Sequence, residues 1–297
     1  MIYCIGESLY DIVFRDGKPE WARPGGGMLN CAVTLGKEGA EVCLMTELGN
    51  DTVGKMILHY LDESGVYTGF MHITSANTSL ALAFLDEKNN ADYQFYIDHR
   101  EQAPAFTVPD FSNGDVLVFG SLYSVNRRNR SNIVKLAMAA RNAGSIVLYD
   151  PNFRKAHLSK LPEVLPFIRE NILLSDIVRG SDEDFEMITG STDAGKPEGN
   201  NDSFSLKSAS VWDFIKQSGG DRLIITRNAQ GADLFLIDTP VHFTAPPVRV
   251  TNTIGAGDAF NAGIAYQLHK NSLPQTEAEW GRVVQSGLRF AERHLMK

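Results

Sequence analysis

The 297 residues are 43% apolar and 22% charged, an ordinary globular composition with chain enough for one large core or a core with a small appendage. A net charge of −8 argues against a nonspecific nucleic-acid binder, and no run approaches the ~20 apolar residues of a membrane span, so neither partner is expected. Cys4, Cys31 and Cys43 are odd in number, lack CxxC spacing and lie in apolar runs; with no export signal at the N-terminus, they suit reduced, buried thiols in a cytoplasmic protein.

In chain order, Ile2–Ile5 reads as a short buried strand ended by Gly6. Ile12–Arg23 follows as a segment of antiparallel strand character. Arg23-Pro24-Gly25-Gly26-Gly27-Met28-Leu29-Asn30 then sets three glycines before a helical pattern, Asn30–Lys37. Glycines let a small ligand approach the backbone, and Asn30 offers hydroxyls both a donor and an acceptor; an αL turn with Asn30 as N-cap accounts for the same residues. The run is not GxGxxG, so a Rossmann cofactor site has little support.

Val42–Thr46 reads as a strand and Thr52–Ser64 as a helix. Ser79–His99 alternates Leu80, Leu82, Phe84 with Tyr93, Phe95, Ile97 about a hairpin turn at Asp86–Asp92, which predicts one buried face. With Ile12–Arg23 it could form a small sheet serving as a lid or a dimerisation surface; an extra edge of the main sheet is the alternative. Strands at Val116–Phe119, Ile146–Tyr149, Ile177–Arg179 and Leu223–Thr226 then alternate with helices at Arg128–Ala143, Leu161–Glu170, Asp182–Thr189 and Ala209–Gln217. Polar Ser191–Ser205 reads as an exposed loop. Such alternation predicts a parallel sheet covered on both faces, with ligands outside the carboxyl ends of its strands.

The most informative stretch is Asn252-Thr253-Ile254-Gly255-Ala256-Gly257-Asp258-Ala259-Phe260, between a β-branched run and an apolar helical pattern. Small residues at such a junction let backbone N–H groups turn toward an anion, assisted by the helix dipole. Asp258 falls in the first turn, where a phosphate would repel it. Taking the proton from a hydroxyl that attacks that phosphate would explain its place; a helix cap is the simpler account.

These blocks resemble the PfkB-type carbohydrate kinases of the ribokinase fold. Gly25–Asn30 with Gly36 and Gly39 is similar to the family's first signature, and Asn252–Phe260 to its second. Gly49-Asn50-Asp51-Thr52-Val53-Gly54, followed by Leu58, Leu61 and Gly65-Val66, is similar to the block between them. Gly6-Glu7-Ser8-Leu9-Tyr10-Asp11 and Asp150-Pro151-Asn152-Phe153-Arg154 look most like the fructokinase and 2-keto-3-deoxygluconate kinase branch. The likeness runs from Met1 to about Leu268. It implies an α/β fold, a three-layer α/β/α domain over 1–297 with a mostly parallel central sheet, and a β lid from about 12–23 and 79–99.

The resemblance also implies roles. Asp258 would be the base, and Gly255, Ala256 and Gly257 the anion hole. Asp11, Gly26, Gly27 and Asn30 would hold sugar hydroxyls, with Arg154 and Arg100 near the acceptor and the phosphate path. Thr226, Gly231, Asn152 and Asn252 would lie on the ATP side. Asp184 stands where the family has the glutamate of a metal-orienting motif, and Mg²⁺ would be bridged by ATP phosphates and water. Asn252 replaces the family's usual Asp, which weakens the case for a monovalent cation; Asn228 replaces a loop glycine, and after Phe290–His294 the family's glycine-containing tail is not recognisable. The expectation is an ATP-dependent sugar kinase acting on fructose first, 2-keto-3-deoxygluconate second, ribose or a nucleoside third, with a homodimer through the lid possible. The rival is a sugar-binding regulatory protein decayed on its nucleotide side.

Overall fold

The computed structural model describes residues 1–86, 91–98, 102–190, 201–251 and 253–296. The chain opens with β1 (Ile2–Ile5), β2 (Leu9–Arg15), β3 (Lys18–Gly25), α1 (Gly27–Lys37), β4 (Val42–Met45), β5 (Glu47–Gly49), α2 (Thr52–Glu63), β6 (Val66–Tyr67) and β7 (His72–Thr74). It continues through β8 (Leu80–Leu85), β9 (Ala91–Tyr96), β10 (Val116–Gly120), α3 (Ser121–Val125), α4 (Arg130–Asn142), β11 (Ile146–Asp150) and α5 (Leu161–Leu174). It closes with β12 (Ile177–Ser181), α6 (Asp182–Thr189), α7 (Asn201–Gln217), β13 (Leu223–Thr226), β14 (Ala232–Phe235), β15 (Val241–Phe243), α8 (Ala256–Asn271) and α9 (Glu277–Leu295).

Strands buried on both faces carry unbroken apolar runs, and their side chains alternate between two cores. Ile2, Cys4, Val42, Leu44, Val116 and Val118 join one core with Leu29 of α1, Phe260 of α8 and Val284 of α9. Tyr3, Ile5, Cys43, Met45, Leu117 and Phe119 join the other, with Ile133 of α4, Ile168 of α5 and Ile215 of α7. The sheet between the cores runs β15-β14-β13-β12-β11-β10-β1-β4-β6. It is parallel from β13 to β6, with β14 and β15 antiparallel at one edge. From β1 the chain winds one way through β4 and β6; from β10 it winds the other way. The carboxyl ends of β1 and β10 therefore flank the switch point, where open α/β sheets bind ligands.

The lid is a separate sheet of order β3-β2-β8-β9. Its first hairpin turns at Asp16-Gly17, both with positive φ (51° and 73°), as a tight turn matching strand twist requires. Thus the expected Ile12–Arg23 segment is two strands, reaching Leu9 and Gly25, and β2 pairs parallel with β8. Part of the expected Asp86–Asp92 turn lies outside the described residues.

Two further boundaries differ from expectation. α1 begins at Gly27, because Gly26 adopts φ 123° and caps it; Asn30 is inside the first turn rather than the N-cap. The expected loop Ser191–Ser205 lies outside the described residues up to 200, but 201–205 are helical, as the first part of α7. The three cysteines are buried and form no disulfide, and no helix among the described residues is long and apolar enough to cross a membrane.

Candidate active site

α8 begins at Gly255 in the left-handed region (φ 93°), which turns the following N–H groups out at the helix N-terminus. Asp258 sits in the first turn, 7% exposed. Its Oδ2 accepts a hydrogen bond from Asn30 Nδ2 of α1 at 2.8 Å. Burial pushes its carboxyl up from the ordinary 3.8 to about 6; Asp150 pushes the same way, while the Asn30 bond, Arg154 and Arg179 pull it back.

One turn along, Asn261 donates to Asp150 Oδ2 at 2.5 Å. The same oxygen accepts from Arg179 Nη1 at 2.9 Å, and Asp150 Oδ1 accepts from the Asn152 backbone N–H at 2.9 Å. Arg179 also donates from Nη2 to Thr226 Oγ1 at 2.7 Å. Asp150 and Thr226 end β11 and β13 and Arg179 lies midway along β12 between them, so three adjacent parallel strands deliver one buried network toward the N-terminus of α8. A Cβ on Gly257 would stand 3.1 Å from Arg179 Nη1 and 3.2 Å from Nη2. The guanidinium thus lies against the nest, and this glycine leaves it room. The αL glycine, helix N-terminus and arginine together fit a polyphosphate.

The lid register explains the other wall. Arg23, Asp11, Ala81 and Phe95 form one cross-strand row, and Trp21, Val13, Ala83 and Tyr93 the next. Val13, Ala81 and Ala83 are buried, marking this as the inner face. Burial pushes the Asp11 carboxyl up to about 6, with Arg23 opposing. Tyr93 feels Asp11, Arg154 and Arg23, which places it over the same space. Beneath lie Gly25–Gly27: a Cβ on Gly27 would come within 2.9 Å of Asn152 Nδ2 and 3.3 Å of Asp258 Oδ1. We therefore expect Gly27→Ala to fold and to raise the acceptor KM by about tenfold, roughly 1.4 kcal/mol, with the KM for ATP unchanged; steady-state kinetics in each substrate check this.

The remaining expected residues are placed unevenly. Asn152, expected on the ATP side, has a positive φ of 41° and places its Nδ2 beside Gly27, 2.9 Å from where a Cβ there would stand. Arg154 is exposed, yet its charge acts on Asp258, Glu7 and Asp184. Asp184 closes a capping box: its Oδ2 accepts from Ser181 N at 2.9 Å and Oγ at 2.6 Å. Gly231 is set by packing, since a Cβ there would stand 2.0 Å from Phe243 O. Arg100 and Asn252 lie outside the described residues. Among the described residues no group of three His, Cys, Asp or Glu side chains is placed to hold a metal ion.

Sequence reasoning missed Arg179, Arg23, Tyr93 and His294. A cation near the end of a strand feeding the switch-point crevice was an available signal for Arg179. The others carry no local signature.

The family model for the pfkB family carbohydrate kinases matches residues 1–291. A fructokinase of Rhizobium leguminosarum bv. trifolii is 29% identical over 281 residues, 92% of this chain and 81% of the relative. An aminoimidazole riboside kinase of Salmonella typhimurium is 25% identical over 276 residues, covering 91% and 81%. The crystal structure of aminoimidazole riboside kinase from Salmonella enterica, complexed with aminoimidazole riboside and an ATP analog, matches with a TM-score of 0.83 at 22% identity, over 100% of this chain and 93% of that one. With a ribokinase-like sheet, a β lid and a buried acid at an anion nest, the chain belongs to the pfkB family of carbohydrate kinases and is an ATP-dependent sugar kinase.

Proposed function

We propose that the acceptor is fructose and that Asp258 activates its primary hydroxyl. The observation that carries this is Asp258 itself: a buried carboxylate raised to about 6, one turn into a helix whose N-terminus and flanking Arg179 suit a phosphate. ATP would supply the phosphoryl group, a magnesium ion bound with it would screen the phosphate charge, and Asp184, its carboxylate already engaged by Ser181, would act on that ion only through water. Asp11 accepts from vicinal sugar hydroxyls, while Gly26 and Gly27 leave room for the ring. Asp258 takes the hydroxyl proton as the hydroxyl oxygen bonds to the γ-phosphorus and the bond to the departing ADP oxygen breaks. The N–H groups of Gly255–Gly257 and the Arg179 guanidinium receive the charge spreading over the transferring group. Fructose is favoured by the 29% identity to a fructokinase and by the Gly6–Asp11 and Asp150–Arg154 segments.

A second reading, an aminoimidazole riboside, is favoured by the similarity to that kinase and by the adjoining rings of Tyr93, Phe95 and His157, which suit a flat heterocycle. ADP release with Mg-ATP at pH 7.5, against fructose, 2-keto-3-deoxygluconate, ribose, adenosine and aminoimidazole riboside, separates the two. The highest kcat/KM should be on fructose. A preference for the riboside would replace that assignment, and no turnover with sugar bound but ATP unbound would restore the regulatory rival.

A further inference from the structure

The loop that carries the nest is tied to the far end of the chain. α9 is anchored by a capping box of Thr276 and Glu279 and by Trp280, Val283, Val284 and Phe290, all buried. His294, one turn beyond Phe290, falls on the same face. Its Nε2 lies 2.8 Å from the Ile254 carbonyl oxygen. A carbonyl only accepts, so Nε2 carries the hydrogen. One residue on, the Leu295 carbonyl accepts from Thr251 N at 2.9 Å and from Thr251 Oγ1 at 2.8 Å. The imidazole also walls Gly255: a Cβ there would stand 3.1 Å from Nε2 and 3.2 Å from Cε1, with Asn30 Nδ2 at 3.8 Å.

Peptide planarity turns this contact into a statement about the nest. In a trans peptide the C=O and the following N–H point in opposite directions. Holding the Ile254 carbonyl toward α9 therefore aims the Gly255 N–H away from α9. Gly255 at φ 93° has no Cβ to lock that peptide, and glycine tolerates either orientation. The orientation has to be imposed from outside, and His294 holds this carbonyl at 2.8 Å.

We propose that His294 is a positioning residue for phosphoryl transfer. It fixes the Ile254–Gly255 peptide so that the nest keeps its N–H groups on the transferring phosphate, and it couples the nest to α9. The proposal rests on the kinase reading of the site.

The test uses the full-length protein with a non-hydrolysable ATP analogue by calorimetry, fructose binding as the internal control, and steady-state turnover. His294→Ala should weaken the analogue and lower kcat each by about tenfold, with fructose affinity unchanged. That is less than the ~10²–10³-fold of deleting one oxyanion donor outright, because the N–H is freed rather than removed. His294→Gln, whose amide N–H reaches the same carbonyl, should restore most of both losses. An Ala variant that binds and turns over like wild type overturns the proposal while wild-type turnover keeps the kinase reading. Equal losses in Ala and Gln overturn it too, by assigning the effect to ring packing. If wild type binds no analogue at all, the kinase reading and the proposal fall together.

Discussion

Asp258→Asn is expected to lower kcat/KM by about 10²–10⁴-fold, the usual contribution of a positioned general base. The same substitution should stabilise the protein at neutral pH. Burial raises the folded-state carboxyl from 3.8 to about 6, so the folded state binds this proton more tightly than the unfolded chain does. The stability that this proton contributes is fully present below pH 3.8 and is lost as pH rises through about 6. Above that, the ionised carboxylate costs up to about 3 kcal/mol relative to a neutral isostere. Asn keeps an acceptor for Asn30 Nδ2 and removes the charge. The variant's melting temperature should therefore exceed wild type at pH 7.5, and the gap should shrink toward pH 5. The kcat/KM of wild type should fall on the acid side with a midpoint near pH 6, because only the ionised form accepts the proton. Thermal melts at the two pH values and a pH–rate profile check both halves. An equally active variant would remove Asp258 from the chemistry, and a pH-independent gap would remove the burial argument.

Arg179→Ala should be the most damaging single change to the fold around the site. It breaks a buried pair with Asp150 at 2.9 Å and takes away the donor to Thr226. Removing one partner of a buried ion pair leaves an uncompensated charge, at a cost of about 3–5 kcal/mol. The loss reaches the chemistry as well. Arg179 helps hold the Asp258 carboxyl down while Asp150 pushes it up, so the acid limb of activity should move above pH 6 in the variant. Arg179→Lys retains a charge but not the fork that spans Asp150 and Thr226, and should recover only part of the loss. Adding Asp150→Asn to Arg179→Ala removes the orphaned charge and should return part of the stability. Denaturant unfolding of the single and double variants measures this; a double variant no more stable than Arg179→Ala would show that burial of the unpaired carboxylate is not the cause.

The two predictions draw on different levels of the molecule. Asp258 was legible in the chain because its signal is local: small residues at a strand-to-helix junction, then an acid in the first turn. The buried strands were legible for a similar reason, since Ile2–Ile5, Val116–Phe119 and Ile146–Tyr149 are apolar at every position, as segments lying between two cores must be. Asp16-Gly17 is likewise a local hairpin signal, and the positive φ at both residues divides Ile12–Arg23 into two strands.

Arg179 looks like any strand-end cation until β11, β12 and β13 bring it to Asp150, Thr226 and Gly257. Tyr93 and Arg23 come to share a lid face with Asp11 only through the pairing of β3, β2, β8 and β9, because register decides which alternate side chains share a face. Asn152 reads as an ATP-side residue from its motif, and only the fold shows its amide beside Gly27. His294 stands forty residues from the carbonyl it holds, in a stretch that matched no motif. By itself the sequence determined the family, the parallel sheet and the glycine-rich turn with an acid in the first turn of the next helix, because each depends on contacts between near neighbours or on burial of a whole segment. Only the tertiary structure decided which distant side chains surround Asp258 and the turn before α8, because hydrogen bonds and charges act through space, across strand ends and helix faces that chain order does not reveal.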